Sequence, residues 1–244
     1  MAVFKRMQPL LGTWFELSID TAESSETAHR SMSLAFDEAR RLERVFNVFD
    51  MKSEISRVNA ASPGEWSVIS GELAEVLTFG AELERDSSRA FRLMPGTEAS
   101  APEYALTGRA VCRHGEGTFD LGGIAKGYVV DRIFDFLQSR HPGAAVLVNA
   151  GGDIRCSGAH RIEVRVPSES GEERRYELVL RDEALATSSL LGAKHLAGRA
   201  SASYPAHSLL GRTGASSAVV RASSCMTADA MTKVALFGGP GALA

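Results

Sequence analysis

Two short stretches in which apolar and polar side chains alternate decide most of what this chain can fold into. Residues 161–166 read Arg-Ile-Glu-Val-Arg-Val, and residues 175–181 read Arg-Tyr-Glu-Leu-Val-Leu-Arg. Successive side chains of a strand point to opposite faces, so this pattern predicts strands with one face packed and one face in water. The polar segment Ser168 to Glu173 between them reads as a hairpin loop, which makes the pair antiparallel. A doubly wound parallel sheet would need continuous apolar runs instead.

The remaining pattern agrees with this. Thr13 to Ile19 is a β-rich segment after Gly12, Ala144 to Asn149 a buried strand, and Val219 to Ala222 another. The N-terminus runs straight into a strand-like segment. Residues 86–118 are rich in Ser, Gly, Pro, Ala and Arg and read as loop, with short strands at Tyr104 to Leu106 and Ala110 to Arg113. Helical periodicity marks 24–46, where Ala28, Met32, Leu34, Ala35, Ala39, Leu42, Val45 and Phe46 are expected on one broad face. Ser53 is placed to cap a short helical turn and Ser70 to cap a helix from Gly71 to about Glu84. Two more helices are expected, Gly123 to Ser139 and Thr227 to Phe237. Strands outnumber helices and read as antiparallel neighbours, so the fold class expected is α+β, with a mixed, largely antiparallel sheet and flanking helices.

Composition excludes several functions. With 44% hydrophobic and 23% charged residues and a net charge of −3, the chain has an ordinary core and no electrostatic reason to bind nucleic acid or an anionic membrane. No apolar run approaches the ~20 residues that span a bilayer. Cys112, Cys156 and Cys225 are too far apart for a zinc or disulfide pattern. As written, the N-terminus carries no export signal or lipoprotein cysteine, which predicts a cytoplasmic protein, or a periplasmic one if a leader has been removed.

Three motifs carry chemistry, each with a plainer alternative. Asp120-Leu121-Gly122-Gly123-Ile124-Ala125-Lys126-Gly127-Tyr128-Val129-Val130-Asp131 places paired glycines before a helix. Backbone N–H groups there can approach an anion, with Lys126 adding a point charge for a phosphate. The alternative is a tight strand-to-helix turn with a surface lysine. Asn149-Ala150-Gly151-Gly152-Asp153-Ile154 either brings a ligand close to the chain or makes an ordinary tight turn. In Ser224-Cys225-Met226-Thr227-Ala228-Asp229, Thr227 or Ser224 can cap a helix, and Asp229 either serves the helix dipole or offers a hard oxygen to Mg²⁺. Lys233, four residues on, shares that helical face and repels a cation. His207 lies in a loop and is the natural general base if it is more than a solvated histidine.

The order and spacing of these pieces resemble the ApbE family. Leu11-Gly12-Thr13, then Ser53-Glu54-Ile55-Ser56-Arg57-Val58-Asn59, then Asp120 to Asp131, Asn149 to Ile154, Ala186-Thr187-Ser188, His207 to Gly214 and Ala228-Asp229-Ala230 follow in the family's order. The resemblance covers the chain and implies one ApbE-like (T-fold-like) flavin-binding domain over 1–244. It implies an FAD:protein FMN transferase that uses Mg²⁺ to move FMN from FAD to a Ser or Thr of an acceptor flavoprotein, releasing AMP. Carried over, Asp229 and Ala125 (through its carbonyl) match metal-binding positions, and His207 and Asp229 catalytic ones. Gly122, Gly123, Lys126, Gly151, Gly152 and Asp153 match the flavin site.

The departures count against transfer. A threonine usual in the family is Lys233, an Asp-Pro pair is Leu210-Gly211, and the segment that helps enclose the flavin is shortened to Ala90-Phe91-Arg92-Leu93-Met94-Pro95. The alternatives are a non-catalytic flavin-binding protein or an FAD pyrophosphatase.

Overall fold

Leu11 and Gly12 both adopt positive φ, 54° and 71°, and this two-residue turn folds the N-terminal segment back on itself. The strands it joins, β1 (Ala2–Leu10) and β2 (Thr13–Thr21), pair antiparallel along their whole length, from Ala2 opposite Thr21 to Leu10 opposite Thr13. A leucine in the left-handed region is unfavourable, and the Glu43 carboxylate holds it there by accepting from the Leu11 N–H at 2.9 Å. The structure is a computed structural model that describes residues 1–95, 102–167, 172–191 and 215–238.

The described chain runs β1, β2, α1 (Ser25–Phe46), α2 (Glu54–Ala60), β3 (Trp66–Val68), α3 (Gly71–Asp86), β4 (Tyr104–Thr107), β5 (Ala110–Arg113), α4 (Ala125–Arg140), β6 (Ala145–Ala150), β7 (Asp153–Cys156), β8 (Ala159–Pro167), β9 (Glu173–Arg181), β10 (Ala184–Ser189), β11 (Ser217–Ala222) and α5 (Cys225–Phe237). Among the described residues the pairs β1–β2, β2–β6, β6–β7, β7–β10, β3–β5, β4–β5 and β8–β9 are all antiparallel, in keeping with the α+β class expected. Residues gather into two compact units. One comprises Met1–Glu43, Lys126–Ser188 and Val219–Thr232; the other comprises Arg44–Ala125, Ser189–Ala218 and Lys233–Ala244.

The first unit is built on a six-stranded sheet in the order β1-β2-β6-β7-β10-β11. Phe15, Leu17 and Ile19 of β2 lie opposite Ala150, Val148 and Val146 of β6, and all six are buried on one face. The apolar stripe of α1 packs there, with the Phe15 and Phe36 rings edge to face at 6.2 Å. The β8–β9 hairpin covers part of the other face. Val164 and Leu180 bury against Leu147, Ile154 and Leu185, while Arg161, Glu163 and Arg165 stay in water, the division that the alternating sequence predicts.

The second unit carries the three-stranded sheet β3-β5-β4 with α2 and α3. Ser53 and Ser70 cap these helices through their hydroxyls, accepting from Ser56 N and Leu73 N, as the sequence predicts. Asn59, at the end of α2, donates to the Phe119 carbonyl at 2.9 Å and accepts from the Phe119 N–H at 2.8 Å. The side-chain amide thus imitates a strand partner and fixes the chain one residue before Asp120. The shortened segment 90–95 is not an open loop. Phe91 and Leu93 are fully buried, and Glu84, itself buried, binds Arg89 at 2.8 Å and the Tyr104 hydroxyl at 2.8 Å.

Sequence periodicity is silent on β3, β7 and β10. β3 has three residues and β7 four after a glycine turn, too few for alternation to develop, and β10 (Ala-Leu-Ala-Thr-Ser-Ser) is buried on both faces at its start and carries no period-2 pattern.

Candidate functional site

The Gly151-Gly152 pair is the two-residue turn between β6 and β7, with Ala150 opposite Asp153. Both glycines have positive φ, 62° and 102°, as this hairpin turn requires. The turn is also crowded. A Cβ on Gly152 would lie 2.5 Å from the Thr187 hydroxyl, and one on Gly151 would overlap the Thr13 side chain. Asn149 closes it by accepting from Gly152 N at 2.9 Å. Thr13 and Thr187 belong to two of the motifs the sequence set in order, so the first unit draws distant segments onto this turn.

The turn delivers Asp153 into the interior, where it is fully buried. Its Oδ2 meets Lys126 Nζ at 2.6 Å. Lys126 sits in the first turn of α4 with its side chain about 29% exposed, so the ammonium joins a buried carboxylate to the surface beside the Gly-Gly turn. This is neither of the plain readings of the two motifs: the lysine is not a solvated one, and the aspartate does not merely close its own turn.

Gly127 has a different purpose from the glycines before it. A Cβ there would fall 2.7 Å from the Cys225 carbonyl carbon and 2.8 Å from Met226 Cα. Only glycine lets α4 pass so close to the start of α5, and the approach allows Gly127 N to donate to Asp229 Oδ2 at 3.2 Å. Asp131 completes the crossing. Its carboxylate accepts from Cys225 N at 2.8 Å and Met226 N at 2.9 Å, and from the Arg155 guanidinium at 2.7 Å. These N–H groups begin α5 two residues before Thr227, and Ser224, not Thr227, is the capping hydroxyl, accepting from Thr227 N at 3.2 Å. Gly127 and Asp131 stand inside the longest motif and have structural work that their sequence positions do not announce.

Around Cys225 the carboxylates of Asp153, Asp131 and Asp229 converge. Burial, then these three charges, push the thiol well above its ordinary value, against the pull of Lys126. A thiol so placed stays protonated and is no nucleophile. Asp229 is fully buried, and its backbone carbonyl accepts from the Thr232 hydroxyl, which also meets Ser188 at 2.7 Å.

In the second unit, the Gly122-Gly123 turn precedes α4, which begins at Ala125 and not at Gly123. The Leu121 carbonyl accepts from Ile124 N at 3.0 Å and Ala125 N at 2.8 Å, and the Asp120 carboxylate accepts from Gly122 N at 2.8 Å. Burial raises Asp120 above the usual carboxylate range, opposed by the Gly122 N–H and the charge of Lys233. Lys233 is itself buried, with 4% exposed, so it does not reach to solvent.

A divalent cation at Asp229 does not fit these residues. Among the described residues no group of three or more His, Cys, Asp or Glu side chains is placed to hold a metal ion. Lys233 lies one helical turn after Asp229 on α5. Side chains at that spacing share a helical face, and an ammonium there repels a divalent cation. His207, and the run through Gly214, lie outside the described residues. No helix among the described residues is long and apolar enough to cross a membrane.

No curated protein sequence matches the chain. Solved structures do. The flavin transferase ApbE from Vibrio cholerae superposes with a TM-score of 0.79 at 20% identity, over 99% of this chain and 88% of that one. The ApbE protein from Thermotoga maritima gives 0.77 at 20% identity, over 96% and 86%. The Pseudomonas stutzeri flavinyl transferase ApbE, in its apo form, gives 0.79 at 18% identity, over 99% and 86%. At such identities the likeness is one of fold. The ApbE family model, however, matches residues 11–101 and 97–244, nearly the whole sequence. The chain with the Lys126–Asp153 pair, the Gly151-Gly152 turn and the α4–α5 crossing belongs to the ApbE family.

Proposed function

We propose that this protein is a flavin transferase that moves FMN from FAD to a serine or threonine hydroxyl of an acceptor flavoprotein and releases AMP. The observation that carries the reading is the Lys126 ammonium, 2.6 Å from buried Asp153 and beside the Gly151-Gly152 turn, in a member of the ApbE family. A fixed cation at a turn without side chains is what a pyrophosphate needs: close approach of the ligand and neutralisation of its charge.

The reaction is a phosphoryl-group displacement without change of oxidation state. The acceptor oxygen bonds to the phosphorus of the FMN half, and the bond from that phosphorus to the bridging oxygen breaks. AMP leaves with the bridging oxygen and its electron pair. The hydroxyl proton passes to His207, the candidate base, and then to solvent. Gly123 offers its backbone N–H to a phosphate oxygen, Gly122 (its own N–H held by Asp120) admits close approach of the ligand, and Asp153 orients Lys126. Lys233 supplies one fixed positive charge in the role that a divalent cation takes where the family's threonine is present. Asp229 then positions α4 through Gly127 N and needs no metal, nor does the Ala125 carbonyl.

The test combines an FAD titration by flavin fluorescence, with Mg²⁺ and with a chelator, with chromatography for AMP. Binding that ignores the chelator, with AMP formed only when an acceptor protein becomes flavinylated, supports the reading. AMP with free FMN makes the protein a pyrophosphatase, and binding without AMP makes it a flavin carrier. Absence of binding ends all three.

A further inference from the structure

The first unit has a second feature that the flavin chemistry does not use. A cavity of about 610 Å³ opens between the sheet and the β8–β9 hairpin. Six consecutive residues of the hairpin, His160 to Arg165, line it. Side chains of a strand alternate between faces, so a cavity touched by six in a row borders the edge of the strand and its backbone, not one of its faces. Among the described residues β8 pairs only with β9, which leaves that edge of nine residues unpaired. It has no proline before Pro167, and its pairing with β9 is continuous, so neither proline nor a bulge protects it.

The floor of the cavity is the outer face of the β1–β2 ribbon and its neighbours. Lys5 lies opposite Ser18 and Met7 opposite Glu16, and the same face carries Val3 and Trp14. Val3, Met7 and Trp14 on that face are 57%, 55% and 59% exposed and lie outside the lining of the cavity, a trough whose floor is Lys5, Glu16 and Ser18. At its other end the trough is lined by Asn149, Gly151, Gly152 and Thr187, the turn assigned above to FAD. The cavity is lined by the cations Lys5, Arg161 and Arg165 and the carboxylates Glu16 and Glu163; Arg165 pairs with Glu163, and Lys5 and Arg161, which make no salt bridge among the described residues, leave one positive charge in excess over Glu16.

The geometry points to this trough as the docking track of the acceptor: an extended segment of the acceptor protein adds to the free edge of β8, sets acidic side chains against Lys5 and Arg161, and carries its hydroxyl to the Gly151-Gly152 turn. Backbone pairing with β8 provides affinity without regard to sequence. Lys5 and Arg161 select for carboxylates in the segment and exclude basic ones. The covalent step is the one already described, with the segment's hydroxyl as nucleophile. The inference rests on the flavin transfer proposed above.

The test uses two pools of short synthetic peptides, each with one central serine or threonine, one pool with Asp and Glu flanks and the other with Lys and Arg flanks. FMN attached to peptide is read by mass spectrometry, and FAD affinity is measured in parallel. The native chain should favour the acidic pool by roughly tenfold or more, and K5E/R161E should reverse the preference with FAD affinity unchanged. Amides of β8 should gain protection from hydrogen exchange when a modified peptide is bound. FAD binding with no reversal of preference and no protection at β8 overturns the track and leaves the flavin reading standing. Loss of FAD binding in the native chain removes both.

Discussion

Lys126 Nζ and Asp153 Oδ2 stand 2.6 Å apart although 27 residues separate them, and the carboxylate is almost wholly buried while the lysine reaches the surface. The pair joins the first turn of α4 to the turn between β6 and β7. Its two ends are unequal in solvent, and this makes it informative: removing the lysine takes the ammonium from a buried carboxylate, whereas removing both ends leaves no carboxylate there.

Lys126→Met should therefore cost on the order of 3 kcal/mol of stability, because a buried carboxylate loses its ammonium partner. Lys126→Met with Asp153→Asn should lose less. Urea unfolding of the two variants reads the difference, and equal losses would show that the pair contributes by packing alone.

Gly127→Ala tests the α4–α5 crossing. In an exposed helix interior the change would stabilise by about 1 kcal/mol. Here the new methyl would meet the backbone of Cys225 and Met226, which cannot rotate away, so a loss of about 1–3 kcal/mol is expected instead. A raised melting temperature would contradict the close approach.

The pH dependence of stability carries a signature from Asp120. Burial is the largest influence and raises its pKa above 3.8, so the folded state holds this proton more tightly than the unfolded chain does. Its contribution to stability is present below the unfolded value and falls as pH rises from there through the folded value. Asp120→Asn can still accept from Gly122 N, and it should flatten the fall of stability that begins as pH rises past the unfolded carboxylate value. Denaturation at a series of pH values is the check, and an unchanged slope would remove Asp120 from the account.

Lys233→Thr should make FAD binding respond to Mg²⁺. The native chain, with its buried ammonium, should show the same FAD affinity with Mg²⁺ as with a chelator. In the variant, loss of the fixed charge weakens binding and lets Mg²⁺ restore it. Metal-dependent affinity of equal size in both proteins would show that Lys233 occupies no cation's place.

Much of the architecture was legible in one dimension. The alternation at 161–166 and 175–181 specified a half-exposed antiparallel pair, since water and core sort side chains at the strand's own period. Ser53 and Ser70 announced two helix starts, because capping is a local hydrogen bond. The boundaries of α4 and α5 were less legible. Gly122 and Gly123 stay in a turn, and Asp131, 94 residues before Cys225, supplies the acceptor that starts α5 early.

The sequence by itself determined which residues are capable of chemistry and the order in which they occur, since side-chain type and local turn propensity are properties of a short segment. The tertiary structure alone decided which of them meet. It turned Lys126 from a surface lysine into the partner of buried Asp153, gave Gly127 the task of admitting a second helix, buried Lys233 where a helix lysine would ordinarily reach water, and left the edge of β8 open. Such outcomes depend on burial and on approaches of a few ångströms between segments far apart in the chain, and neither has a period or a local motif from which it can be read.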